Sequence, residues 1–280
     1  MTLDISKVSR LGFGVSGPHK CDAVDRPQTV RLIHESIDLG ISVFDTAPKY
    51  GDGEAESRLG EALTGADRDK LFIVTKAGIV DETDRRDFSP AGIRASLEGS
   101  LKRLGLDYVD ALLMQGAATG ELNDALYESL LELKAEGLVR YIGASGRGEE
   151  LDTPITADIF DLIMAPNYAG MPGDQSARLQ AMRTSDKRIF AIEAKNGAKQ
   201  TLSLPLGKTK AWYFQRDIKR LIDRVTGAPT PPKGELSLLD AFKWSMDSDQ
   251  TDCLLVQTTN SEHLKQLAQL AGLDVGSGAA

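Results

Sequence analysis

Eight strand-like apolar runs alternate with amphipathic helical stretches along a chain of 280 residues, and no second composition regime interrupts them. Such alternation is the mark of parallel sheets built from βα units, at a length where α/β barrels run as one domain. The predicted class is therefore α/β, closed into a (β/α)8 TIM barrel rather than left as an open doubly wound sheet. The expected organisation is one barrel domain over residues 1–280, with a long loop insertion at about 196–234.

The strand runs are SRLGFGV ending at Val15, ISVFDTA ending at Ala47, LFIVTKA ending at Ala77 and YVDALLMQ ending at Gln115. VRYIGAS ending at Ser145, FDLIMAP ending at Pro166, RIFAIEAK ending at Lys195 and DCLLVQT ending at Thr258 complete the set. The first helix opens at Pro27, which suits a first turn, and carries Val30, Ile33 and Ile37 on one face before Gly40 stops it. Another runs from Ser89 as N-cap through Pro90 to Gly105, with Ile93, Leu97, Leu101 and Leu104 at helical spacing. Helices are also expected at residues 54–63, 121–137, 153–160, 174–184, 235–246 and 261–270. The rhythm breaks after strand seven, where Pro205, Pro229, Pro231, Pro232 and the cluster Trp212 to Phe214 lie among lysines and arginines. A loop that long in a compact domain is usually functional or mobile.

A net charge of -8 makes the average surface repel phosphate backbones, which argues against nucleic acid and anionic membranes as partners. Cys21 and Cys253 stand far apart and in no metal-ligand spacing, which fits a reducing compartment and no bound metal. The opening MTLDISKVSR has no apolar core of signal-peptide length, so a cytoplasmic protein is expected.

Chemistry concentrates in FDTAPKYG and VTKAG, which place Asp45, Tyr50 and Lys76 at or beyond the C-terminal ends of strands two and three. Barrel enzymes build their sites there. A phenol titrates at about pH 10 and donates its proton poorly at neutral pH, but a cation beside it stabilises the phenolate. Lys76 is the candidate cation, and Asp45 the carboxylate that keeps a charged amine from standing alone. The alternative reading is a structural ion pair with Tyr50 packed on a loop.

The segment YGDGEAESRLGEAL resembles the aldo-keto reductase signature, with Glu56, Leu59 and Gly60 in the expected places after Tyr50 and Gly51. GFG, FDTAPKYG, VTKAG, YVDALLMQ, EGLVRYIGAS and LLVQTTNSEHL follow in that family's order. The resemblance implies a reductase that holds a nicotinamide dinucleotide at the barrel mouth and passes hydride to a small-molecule carbonyl. It implies Tyr50 as general acid, Lys76 as its partner and Asp45 as the orienting carboxylate. The histidine that usually follows the strand-four aspartate by five residues is Gln115 here, counting from Asp110. An amide can orient a carbonyl but cannot relay a proton as imidazole does.

Two more departures fall where the family handles nicotinamide. The Ser-Asn pair ending strand five is Ser145 and Gly146, and the strand-six glutamine falls at Met164, with Asn167 as a possible substitute. Lys195, Thr258, Thr259, Asn260 and His263 are the remaining cofactor candidates, the last four around a helix N-terminus that attracts anions. NADP is the expected cofactor. His19 is a candidate for the missing imidazole, against a plain loop residue. Gly12, Gly14 and Gly17 spell GxGxxG, but Pro18 follows and no helix opens at the glycines, so they do not read as a phosphate cradle. Two alternatives stay open: altered chemistry such as double-bond reduction or epimerisation, and a nonenzymatic nucleotide-sensing regulatory protein.

Overall fold

The computed structural model describes residues 4–199, 207–226 and 234–274. Eight parallel strands close in sequence order, each paired with its neighbours and β1 with β8. They are β1 (Leu11–Gly14), β2 (Val43–Asp45), β3 (Phe72–Ala77), β4 (Val109–Gln115), β5 (Val139–Ser145), β6 (Leu162–Pro166), β7 (Arg188–Ile192) and β8 (Cys253–Val256). The α-helices are α1 (Arg26–Asp38), α2 (Glu54–Leu63), α3 (Pro90–Leu104), α4 (Asp124–Ala135), α5 (Asp152–Thr156), α6 (Gly173–Thr184), α7 (Lys208–Val225), α8 (Leu238–Asp247) and α9 (Ser261–Leu270). The fold is the (β/α)8 barrel that the alternation predicts.

Local chemistry sets the helix ends. The Asp25 side chain accepts the Gln28 N–H to open α1, and the Ser89 hydroxyl accepts the Gly92 N–H to open α3, where Pro90 takes the first position. Gly105 closes α3 at φ +66°, a left-handed turn that favours glycine. Ile93, Leu97, Leu101 and Leu104 bury one face of α3 against the barrel and its neighbours. At residues 153–160 only the short α5 forms.

The stretch expected as a loop at 196–234 departs further, because α7 (Lys208–Val225) occupies part of it. The prolines at 205, 229, 231 and 232 flank this stretch without entering it, and Ala211, Phe214, Ile218 and Ile222 recur at helical spacing. Residues 200–206 and 227–233 lie outside the described residues.

Successive strand residues point to opposite sides, so one parity fills the lumen. Val43, Phe72, Val74, Ala111, Leu113, Leu162, Met164, Phe190, Cys253 and Leu255 pack together there. The other parity, including Phe44, Ile73, Leu112 and Ile142, meets the helices in a larger apolar layer.

Candidate active site

The lumen parity continues upward into the site. Two residues beyond Val43 stands Asp45, two beyond Val74 stands Lys76, and two beyond Leu113 stands Gln115. Gln115 pairs in register with Ser145, which pairs in turn with Met164. All five line one cavity of about 1650 Å³ at the C-terminal mouth, together with Tyr50 and Ile192. Small-molecule pockets are usually ~300–1,000 Å³, so this one has room for a dinucleotide beside a substrate.

Lys76 Nζ donates to Asp45 Oδ1 and to the Thr46 carbonyl oxygen at 3.0 Å, and lies 5.2 Å from the Tyr50 ring centroid. Burial presses the Lys76 pKa downward, but the Asp45 carboxylate and the Tyr50 phenol outweigh it and hold the amine above its ordinary value. Lys76 is therefore an ammonium at neutral pH. Tyr50 sits on a turn in which Gly51, Asp52 and Gly53 all have positive φ. A Cβ at Gly51 would stand 2.2 Å from the Lys20 carbonyl oxygen, so this turn needs glycine. The Gly51 N–H donates to Glu82 Oε1 and the Glu82 N–H to Asp52 Oδ1, both at 3.0 Å, which locks the Tyr50 turn to the loop after β3.

Another part of the cavity wall is built from the β8–α9 turn, with Thr258, Thr259, Asn260 and His263 on the lining, which also includes Lys195, Lys199 and Lys210. Asn260 Oδ1 accepts the His263 N–H at 3.1 Å as the cap of α9. Helix α7 reaches across from the first loop to this turn. Its Thr209 hydroxyl donates to the Ala23 carbonyl oxygen at 2.6 Å, and its Tyr213 hydroxyl accepts from Gln257 Nε2 at 3.3 Å. The Trp212 and Tyr213 rings pack edge to face at 5.2 Å, and Tyr213 lines the cavity.

The chain matches the Aldo/keto reductase family over residues 10–152. It belongs to the aldo/keto reductase family. L-galactose dehydrogenase of Arabidopsis thaliana is 38% identical over 169 residues, covering 56% of this chain and 48% of that protein. NADH-specific methylglyoxal reductase of Escherichia coli is 35% identical over 163 residues, covering 51% of this chain and 50% of that protein. This chain thus spans about half the length of the curated relatives it matches. In fold, an aldo-keto reductase of Bacillus halodurans superposes with a TM-score of 0.74 at 22% identity, over 98% of this chain and 89% of that one. One of Klebsiella pneumoniae in complex with NADPH gives 0.69 at 23% identity, over 97% and 88%. As an aldo/keto reductase, the chain is a member of an oxidoreductase family, and no helix among the described residues is long and apolar enough to cross a membrane.

Within this aldo/keto reductase, the signature residues after Tyr50 are architectural. Glu56 is wholly buried, accepting the Thr75 hydroxyl at 2.6 Å and Arg103 Nε at 2.7 Å, and so braces the strand that carries Lys76. A Cβ at Gly60 would lie 2.6 Å from the Arg103 carbonyl oxygen, so glycine lets α2 and α3 pack closely. Gly146 has a comparable cause: a Cβ there would already stand 2.9 Å from Glu150 Cβ, space that a larger side chain would need.

Two sequence expectations are corrected. Asn167 does not line the cavity: it has the opposite parity to Met164, faces away from the lumen, is wholly buried and donates to Thr251 Oγ1 at 2.8 Å. His19 does not replace the missing imidazole. It is wholly buried, with Nδ1 3.1 Å from Thr29 Oγ1 and Nε2 donating to the Thr258 carbonyl oxygen at 2.9 Å. Burial takes its pKa down to about 4, so it is a neutral pin that holds the first loop against the β8–α9 turn. Of the glycines in the GxGxxG string, Gly12 fits against Leu255 and Val43, and Gly17 opens a short 3-10 turn at φ +58°. Sequence reading passed over Arg147 and Glu193, which also line the cavity and are ion-paired across it. Their signal was present, as charged residues just past the C-terminal ends of β5 and β7.

Proposed function

We propose that this chain is a nicotinamide-dependent reductase of small aldehydes or ketones, with NADP as cofactor, Tyr50 as general acid, Lys76 as its partner, Asp45 as orienting carboxylate and Gln115 orienting the carbonyl. The observation that carries the reading is the Lys76 ammonium held by Asp45 and set 5.2 Å from the Tyr50 ring, on the wall of the mouth cavity. The cavity fits the cofactor in size, and Gln115 lies on its wall with an amide N–H group that can donate to a carbonyl oxygen. A reduced nicotinamide, when bound, supplies the hydride that adds to the carbonyl carbon. As the C–O π electrons move to oxygen, the Tyr50 hydroxyl hydrogen-bonds that oxygen and gives it a proton. Lys76 stabilises the phenolate left behind, and Asp45 keeps Lys76 charged and in place. Ser145 lies beside Gln115 to face the nicotinamide, while Lys195, Thr258, Thr259, Asn260 and His263 form the wall for the phosphates and adenosine.

The lysines at that wall favour a phosphorylated dinucleotide; the Klebsiella structure is a complex with NADPH, while the Escherichia relative is named NADH-specific. The test follows absorbance with NADPH or NADH and a panel of carbonyls. NADPH is expected to be the faster donor, and Tyr50→Phe to lower kcat by about a hundredfold or more. If no carbonyl is turned over and Tyr50→Phe matches the parent, the assignment fails. Gln115 in place of histidine motivates a second reading, altered redox chemistry. A Gln115→His variant that stays folded and loses all turnover favours it, whereas a gain in carbonyl reduction removes it.

A further inference from the structure

Two parts of the cavity wall are charged differently. By the β8–α9 turn Lys199 and Lys210 share the lining with one acidic residue, Asp217, which is paired to Arg216. At the Tyr50 end each cation has a carboxylate: Lys49 with Asp84 at 2.5 Å, Arg86 with Glu121, and Arg147 with Glu193. A wall of matched pairs has little net attraction for an anion. It offers donors and acceptors side by side, which is what a hydroxyl needs, since it both gives and accepts a hydrogen bond.

Arg147 and Glu193 stand closest to this role. Arg147 Nε and Nη2 both donate to Glu193 Oε1, and Nη1 has no hydrogen-bond partner among the described residues. Glu193 Oε2 accepts Asn196 Nδ2 at 2.9 Å, and the Glu150 carboxylate accepts the Arg147 N–H at 2.8 Å, so the pair is held from both sides. Glu193 adopts φ +64°, a left-handed conformation uncommon for a residue with a side chain. Yet the Arg147 side chain is 63% exposed, and an ion pair this open contributes little to folding. Nearby on the same cavity, Gln115 Oε1 is a buried acceptor without a donor. A bare carbonyl cannot satisfy it, whereas a hydroxyl beside the carbonyl can.

We propose that Gln115 and the Arg147–Glu193 pair read hydroxyl groups next to the reacting carbonyl, so that the site selects hydroxy-carbonyl compounds, such as short aldoses, over apolar aldehydes. The proposal rests on Tyr50 as the acid, which places the carbonyl at this end. Glyceraldehyde and propanal share a carbon skeleton and differ in hydroxyls. Their ratio of kcat/KM, glyceraldehyde over propanal, falls about tenfold or more in Arg147→Met and in Glu193→Gln, mainly through KM, and Arg147→Lys recovers part of it. An unchanged ratio overturns the proposal, whatever happens to the absolute rates. A second readout needs no turnover: saturation-transfer NMR of the NADP-loaded protein with erythritol and with 1-butanol. The erythritol signal exceeds that of 1-butanol in the parent and is lost in both variants. Equal signals for the two alcohols, or an erythritol signal that survives both substitutions, sinks the idea. If Tyr50→Phe shows no catalytic role, the NMR arm alone decides.

Discussion

The two ends of this barrel treat a buried carboxylate in opposite ways. At the N-terminal end Asp110 accepts the Ile73 N–H at 2.8 Å, Arg68 at 2.7 Å and Arg140 at 2.6 Å. The arrangement recurs at alternate strands, where Asp161 accepts the Ile142 N–H at 2.9 Å and Asp252 the Ile189 N–H at 2.7 Å. These carboxylates tie each strand to the one before it. At the C-terminal end Asp45 holds one ammonium, that ammonium faces a phenol, and the neighbouring Gln115 leaves an acceptor unused. A buried polar atom left unsatisfied costs about 1–3 kcal/mol, and Gln115 Oε1 is the one of six such atoms among the described residues that lies on the cavity wall, where a ligand can complete the bonding. At the N-terminal end these carboxylates have their bonds made within the protein. The other end is arranged to make them with something else.

Substitutions at the two ends should therefore separate stability from turnover. The largest effect is expected from Asp110→Ala, which strands a backbone N–H and two guanidinium partners and should lower the unfolding free energy by about 3–5 kcal/mol in urea titration, with kcat per folded molecule unchanged. Lys76→Met should do the reverse. We expect kcat to fall about a hundredfold, a barrier increase of ~2.7 kcal/mol, with a smaller stability loss because Asp45 opens onto the cavity and can protonate. If Lys76→Met destabilises as much as Asp110→Ala while keeping its kcat, the contrast between the ends is broken.

The smallest effect sharpens the contrast, because His19 lies near the mouth yet serves structure. Its pKa falls from 6.5 to about 4 on folding, so the unfolded chain binds the extra proton. Its contribution is fully present above pH 6.5 and is lost as the pH falls from there toward 4. Between pH 7 and pH 5 the loss should be about 2 kcal/mol of unfolding free energy. His19→Gln should remove that part of the pH dependence, and an identical pH profile in the variant would show that His19 is not its source.

Much of the site was legible because lumen-facing parity is a sequence property. Asp45, Lys76 and Gln115 each continue an apolar every-second-residue series, so a barrel reading alone puts them on one rim. The same rule argued against Asn167, which stands an odd number of residues from Met164. The signature residues Glu56 and Gly60 were legible as a pattern but not as a role, since their partners Thr75 and Arg103 come from other segments. Helix α7 was hidden by the prolines around it, which drew attention from the helical spacing between them. The partners of His19, and the pairing of Arg147 with Glu193, were not legible, because each depends on which distant loops the closed barrel brings together.

Sequence by itself determined the eight βα units, the parity that aims Asp45, Lys76 and Gln115 inward, and the glycine turn that carries Tyr50. These depend on neighbours within a few positions, where backbone geometry and side-chain periodicity suffice. Tertiary structure alone decided which charges meet at the mouth, which histidine is buried and neutral, and which acceptor on the cavity wall is left open. Those outcomes arise between residues as far apart as His19 and Thr258, and only closure of the barrel makes them neighbours.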